Sequence, residues 1–114
     1  MITTDRTGKL LTVAVLGEFT LGDFKEFETL IIDAVRSDGP VNLLLDLREM
    51  AGATVDMAWE EVKFTRQHAR DFARIAVVTD SEWVTWSAWL QRLFVSAEIS
   101  VEHDIEDARA WLAA

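Results

Sequence analysis

The stretch that decides the fold is "VNLLLDL", residues 41–47, which is apolar at nearly every position. A strand with one face in water alternates apolar and polar residues, whereas a strand covered on both faces is apolar almost throughout. The stretch "RIAVVTD", residues 74–80, has the same character. Both stretches therefore predict buried strands in a sheet that is covered by helices.

The segments around these two strands alternate between strand and helix patterns. "MITT" and "LLTVAVLG" flank the turn-like "DRTGK" and predict an N-terminal hairpin, and "EISVEHD" predicts the last strand. Helical spacing of apolar residues marks four further segments, which are residues 20–40 (ended by Gly39-Pro40), 55–70, 82–94 and 105–113. This order predicts a single α/β domain over residues 1–114, with a mixed, mostly parallel sheet of about five strands and four helices.

Local signals fix the ends and the inner faces of the first and last helices. Thr20 is expected to be an N-cap, with Asp23 three positions later as its capping-box partner, and Asp104 is expected to cap the last helix. The residues expected to face the core are Phe24, Phe27, Ile31, Ala34 and Val35 in the first helix and Ile105, Ala108, Trp111 and Leu112 in the last.

Composition excludes several classes of function. The 114 residues include no cysteine, which excludes disulfides, thiolate catalysis and cysteine-bound metals. The net charge of −9 argues against nucleic-acid binding, because that affinity comes mainly from neutralising phosphates. No apolar run approaches the roughly 20 residues that span a bilayer, and no signal-peptide pattern occurs. A cytoplasmic location is therefore expected. Glycine-rich phosphate-binding motifs are absent, so no cofactor is expected.

The order of elements resembles the STAS fold of anti-sigma-factor antagonists and, more closely, the SpoIIAA-like family of small bacterial proteins. The resemblance rests on "GEFTLGDFKEF" entering the first helix, "LLLDL" before the central loop, and "AWEEVKF" and "HARDFARIAVVTDSEWVTW" across the second and third helices. It implies a regulatory or ligand-binding module and not an enzyme. SpoIIAA-like proteins are also similar in architecture to CRAL-TRIO lipid-binding domains, which implies an apolar ligand or contact with a membrane.

The chain departs from the antagonists at the start of the second helix. Those proteins carry an Asp-Ser-Ser-Gly-type segment there, in which a serine is phosphorylated. The corresponding stretch here is "AGATVDMAW", in which Thr54 is the nearest hydroxyl. Thr54 is expected to cap the helix, and phosphorylation of Thr54 is the lesser alternative.

Asp46 and Thr79 invite comparison with response-regulator receiver domains, where they would be the phosphoacceptor and the switch hydroxyl. The chain lacks the acidic pair that holds Mg²⁺ in such domains and the lysine after the last strand. Asp46 is therefore expected to accept backbone hydrogen bonds in a loop. His68 and His103 show neither metal-ligand spacing nor a neighbouring nucleophile, so no metal site and no catalytic residue is predicted.

The stretch "EWVTWSAWLQRLF", residues 82–94, holds three of the chain's five tryptophans. On a helix its large apolar side chains cover an arc of roughly 140°, which is wider than a minimal core stripe. In the preceding helix, Met57 and Phe64 lie away from the predicted core stripe. Two interpretations remain open: these side chains all belong to the core, or some of them line a site.

The site interpretation places an apolar cleft between the second and third helices, for a hydrophobic or lipid-like, anionic ligand, with peripheral membrane contact as a further expectation. The alternative is a STAS-type interaction module that uses the same surface as a homodimer or partner interface. The predicted ligand-binding residues are Trp59, Phe64, Trp86, Trp89 and Leu93 as lining, with Lys63, Arg66 and Arg70 as a basic rim.

Overall fold

The computed structural model describes residues 1–53, 71–79 and 97–114. These residues form five strands and two helices. In chain order they are β1 (Ile2–Thr7), β2 (Leu10–Phe19), α1 (Leu21–Asp38), β3 (Val41–Ala53), β4 (Phe72–Val78), β5 (Glu98–Glu102) and α2 (Ile105–Ala113).

The strands form one sheet in the order β1-β2-β3-β4-β5. β1 is antiparallel to β2, and every later pair is parallel. The predicted mixed, mostly parallel sheet of five strands is therefore confirmed. The first and last of the four predicted helices are α1 and α2, whereas those predicted at residues 55–70 and 82–94 lie outside the described residues.

The N-terminal hairpin is tighter than its sequence suggests. β1 continues to Thr7, so the turn consists of Gly8 and Lys9 alone and not of the whole "DRTGK" stretch. Gly8 has φ +58°, and no non-glycine residue described has a positive φ. A positive φ at the first of two turn residues is the pattern of a type II′ turn, whose twist matches that of the paired strands.

β3 is longer than the predicted strand at residues 41–47. The stretch "REMAGA", which was expected to be a loop, continues the parallel pairing with β2 as far as Ala53. The pairing has two register irregularities, each with one extra residue in β3, and Gly17 of β2 beside one of them has φ +70°. Met50 is 7% exposed, so this extension also contributes to the core.

α1 and α2 pack on opposite faces of the sheet. The larger apolar cluster joins α1 to residues such as Leu43 and Leu45, and the smaller one joins α2 to Leu44. Successive strand residues point to opposite faces. The continuous apolar run in β3 is therefore explained by cover on both sides, as the sequence predicts.

The predicted N-caps of α1 and α2, Thr20 and Asp104, are present. The Thr20 hydroxyl accepts a hydrogen bond from the Asp23 N–H, and the Asp23 carboxylate accepts one from the Thr20 N–H. All the residues expected to face the core in α1 and α2 are either buried or packed against the core clusters. Neither helix is long and apolar enough to cross a membrane.

Candidate functional site

The ligand-binding residues predicted from the sequence lie outside the described residues. The structure therefore does not test the cleft between the second and third predicted helices or the cap at the start of the second. The residues concerned are Thr54, Trp59, Lys63, Phe64, Arg66, Arg70, Trp86, Trp89 and Leu93.

A different group of polar residues gathers at the carboxyl ends of the parallel strands. Asp46 in β3 is level with Val78 in β4, and Val78 is level with Glu102 in β5. Thr79 and His103 follow directly after β4 and β5. In open α/β sheets, ligands bind outside this edge of the sheet. We call Asp46, Arg48, Thr79, His103 and Asp104 the carboxyl-edge cluster.

Asp46 and Arg48 form the central ion pair of the cluster. Arg48 donates to Asp46 from its backbone N–H (3.1 Å to Oδ1), from Nε (2.9 Å to Oδ1) and from Nη2 (2.7 Å to Oδ2). The hydrogen bonds from the Arg48 side chain hold the pKa of Asp46 below its ordinary value, although partial burial opposes them. The expected backbone hydrogen bond to Asp46 is thus present, but Asp46 lies within β3 and not in a loop.

Thr79 and His103 connect the ends of β4 and β5. The Thr79 N–H donates to the Glu102 carbonyl at 3.1 Å, and His103 Nδ1 lies 2.9 Å from the Thr79 carbonyl oxygen. A carbonyl oxygen can only accept, so Nδ1 carries the proton and Nε2 is the acceptor when the ring is neutral. The Thr79 side chain is 1% exposed, and its hydroxyl has no partner within the described residues.

Asp104 links the cluster to α2. Its Oδ1 accepts hydrogen bonds from the N–H groups of Glu106 (2.7 Å) and Asp107 (3.4 Å), which confirms the predicted N-cap. The hydrogen bond and the charge of Asp46 raise the pKa of Arg48, and the charges of Glu49 and Asp104 add to this effect. Arg48 in β3 and Asp104 before α2 are therefore close enough for their charges to interact.

The two carboxylates of the cluster are engaged in hydrogen bonds within the chain. Both oxygens of Asp46 accept from Arg48, and Oδ1 of Asp104 is held by two backbone amides. The neutral His103 ring still offers Nε2 as an acceptor. Within residues 1–53, 71–79 and 97–114, no three His, Asp or Glu side chains are grouped so as to hold a metal ion.

The sequence contained a signal for this cluster. Residues that follow parallel strands meet at one edge, and that rule brings Asp46, Thr79 and His103 together once the strands are recognised. The sequence gives no such signal for the role of Arg48. The stretch that contains it is predicted to be a loop, whereas the structure places it in β3.

Solved structures show how the fold compares with known proteins. An uncharacterised protein with a SpoIIAA-like fold from Shewanella loihica PV-4 superposes with a TM-score of 0.76 at 25% identity, over 98% of this chain and 92% of that one. The anti-sigma factor antagonist SpoIIAA in its unphosphorylated form gives a TM-score of 0.66 at 9% identity, over 100% of this chain and 99% of that one.

A third structure extends the comparison to another organism. An anti-sigma factor antagonist from Mycobacterium paratuberculosis gives a TM-score of 0.60 at 15% identity, over 100% of this chain and 94% of that one. At these identities, the likeness to the two antagonists concerns the fold alone. No curated protein matches the chain. Residues 10–113 match the family described as SpoIIAA-like, and the chain belongs to that family.

Proposed function

We propose that the protein is a non-catalytic interaction module that binds a partner protein at its carboxyl-edge cluster. The observation that carries this proposal is the way in which the ionisable groups of the cluster are tied down. Asp46, Asp104 and Nδ1 of His103 are all engaged in hydrogen bonds within the chain. Groups fixed in this manner present a rigid pattern of charge, which gives specificity in binding.

The exposed parts of the cluster indicate the chemistry of the partner. The Arg48 side chain is 43% exposed. The strand residues Glu18 in β2, Glu49 in β3 and Glu102 in β5 add acidic side chains toward this edge of the sheet. Within the described residues, the carboxyl edge thus carries more acidic than basic side chains. A partner with a basic surface and at least one carboxylate for Arg48 is complementary to it.

The fold comparisons support an interaction role in general terms. Two of the similar structures are named as antagonists of anti-sigma factors, so those proteins act on another protein. Their identities of 9% and 15% do not extend the same partner to this chain. The proposal is therefore an interaction module whose partner is defined by charge and by the position of Arg48.

Site-specific photo-crosslinking tests the proposal. A photoreactive amino acid replaces Glu49 beside the cluster in one variant and Asp33, exposed on α1, in a matched control. We expect a partner to be captured from position 49 and not from position 33, and mass spectrometry then identifies it. Binding of that purified partner should weaken tenfold or more in Arg48→Glu, about 1.4 kcal/mol. Capture from position 33 alone, or unchanged binding by Arg48→Glu, contradicts the proposal.

A second candidate function is binding of an apolar, lipid-like ligand, and the observation in its favour is the tryptophan-rich stretch at residues 82–94. Tryptophan side chains suit a boundary between apolar and aqueous surroundings. Native mass spectrometry with organic extraction would show a co-purified fatty acid or lipid at near-stoichiometric occupancy. A folded Trp86→Ala/Trp89→Ala double variant should lose it. A ligand-free protein, or a double variant that unfolds, contradicts this function.

A further inference from the structure

Among the five described strands, β1 forms one border of the sheet and pairs only with β2. Five of its six residues are exposed, and Ile2 is the buried one. Such an edge presents backbone N–H and C=O groups on which another strand can add.

The hydrogen bonds to β2 determine which groups of β1 point outward. Met1 and Leu16 exchange two backbone bonds, from the Leu16 N–H to the Met1 carbonyl (2.8 Å) and from the Met1 amino group to the Leu16 carbonyl (3.2 Å). Hydrogen-bonded and non-hydrogen-bonded pairs alternate along an antiparallel ladder. The backbone groups of Ile2, Thr4 and Arg6 are therefore directed away from β2.

We propose that β1 pairs with β1 of a second copy of the chain, antiparallel, about a two-fold axis at Thr4. In this register, Thr4 faces Thr4 of the second copy, and Ile2 faces its Arg6. All three outward-directed residues then take part, which gives about six hydrogen bonds between the copies. A shift of one residue in either copy brings the wrong backbone groups together, and a shift of two leaves only about four bonds.

The side chains favour the same register. Asp5 faces Thr3 of the second copy, so no two like charges are opposed. Centring the axis on Asp5 instead would oppose two carboxylates, which is destabilising. The Arg6 charge is balanced within its own copy, because Nη2 donates to Asp38 Oδ2 at 2.6 Å. The contact is small, so the dimer is weak and depends on concentration.

Disulfide trapping tests the pairing directly. The chain has no cysteine, so Thr4→Cys introduces a single thiol. Facing residues of a hydrogen-bonded pair have Cα atoms about 5.5 Å apart, within disulfide range. Thr7→Cys is the matched control, since the same register places position 7 of one copy roughly 20 Å from position 7 of the other. We expect Thr4→Cys to cross-link at least tenfold faster on mild oxidation, and equal rates overturn the proposal.

Analytical sedimentation of proteins that contain no cysteine gives a second readout. Wild type should show a growing dimer fraction as its concentration rises. Thr4→Pro removes the N–H at the axis, at an edge where proline is tolerated, and should stay monomeric with an unchanged circular dichroism spectrum. Thr4→Ala keeps that N–H and should still dimerise. A wild type that is monomeric throughout, or a folded Thr4→Pro that dimerises as wild type does, overturns the proposal.

Discussion

Arg48 is the residue that fixes the Asp46 carboxylate at the carboxyl-edge cluster. Three of its nitrogens donate to Asp46, and its charge is also coupled to Asp104 at the start of α2. The Asp46 side chain is 14% exposed and that of Arg48 is 43% exposed, so the pair is only partly shielded from water. A pair of this kind contributes modestly to stability, roughly 0.5–1 kcal/mol.

The lowered pKa of Asp46 gives this pair a definite pH dependence. A carboxyl whose pKa is lower in the folded than in the unfolded state stabilises the protein above the unfolded pKa of about 3.9, and that stabilisation disappears as the pH falls through the folded pKa. We therefore expect Asp46→Asn to lower the free energy of unfolding by roughly 0.5–1 kcal/mol near neutral pH. The difference from wild type should vanish at strongly acidic pH.

Urea unfolding of both proteins across the acid range measures this effect. Glu49→Gln is the control, because it removes a neighbouring exposed charge that makes no described ion pair. Its difference from wild type should be smaller than that of Asp46→Asn at neutral pH. A difference between Asp46→Asn and wild type that stays constant with pH would show that the ion pair is not its source.

At the scale of elements, Arg74 near the start of β4 adds polar contacts between the sheet and the last turn of α2 to the apolar packing of this helix. Arg74 Nη1 donates to the Trp111 carbonyl in the last turn of α2 at 3.0 Å, and its guanidinium lies 5.1 Å from the centre of the Trp111 ring. A cation near the C-terminus of a helix also interacts favourably with the helix dipole. The Arg74 N–H donates to Asn42 Oδ1 at 3.2 Å, which positions this residue against β3.

Removal of this arginine should loosen α2 selectively. We expect Arg74→Ala to cost about 1–2 kcal/mol of unfolding free energy, since a charged hydrogen bond and a cation–π contact are lost together. Amide hydrogen exchange should accelerate most within Ile105–Ala113. Arg109→Ala is the matched control, because within the described residues Arg109 pairs only with the exposed Glu106 of the same helix. This substitution should change stability by less than about 0.5 kcal/mol.

The two arginine variants distinguish the specific contacts of Arg74 with α2 from a general effect of charge. Equal losses of stability in Arg74→Ala and Arg109→Ala would mean that net charge is responsible. An exchange pattern that is unchanged in α2 would mean that the apolar contacts of Ala108 and Leu112 hold this helix without Arg74.

At the scale of the whole molecule, the net charge of −9 acts oppositely on the two proposed associations. Two copies repel each other, whereas a partner with a basic surface is attracted. Added salt screens both effects, because the Debye length falls from about 30 Å at 0.01 M to about 3 Å at 1 M.

Salt should therefore strengthen the β1–β1 dimer and weaken the complex at the carboxyl-edge cluster. Sedimentation across this range of salt measures the first association, and titration with the identified partner measures the second. If both associations respond in the same direction, then at least one of them is not governed by the net charge. A sucrose series at constant salt serves as the control for effects of viscosity.

The amino-acid sequence by itself determined the fold class and the local structure of the first and last helices. The apolar run at residues 41–47 predicts a strand with both faces covered, and α1 and α2 supply that cover. The Thr20–Asp23 capping box and the Asp104 cap were likewise predictable. These features depend on residues only a few positions apart, whose contacts follow from the period of a strand or a helix.

Only the tertiary structure decided the length of β3 and the composition of the candidate site. "REMAGA" lacks the alternation of a strand, and it becomes one because β2 continues alongside it as far as Phe19. Arg74 meets Trp111 across 37 positions of sequence, and His103 meets Thr79 across 24. Such pairs are set by the register between strands and by where each helix returns to the sheet. No local pattern encodes either, because both follow from the packing of the whole chain.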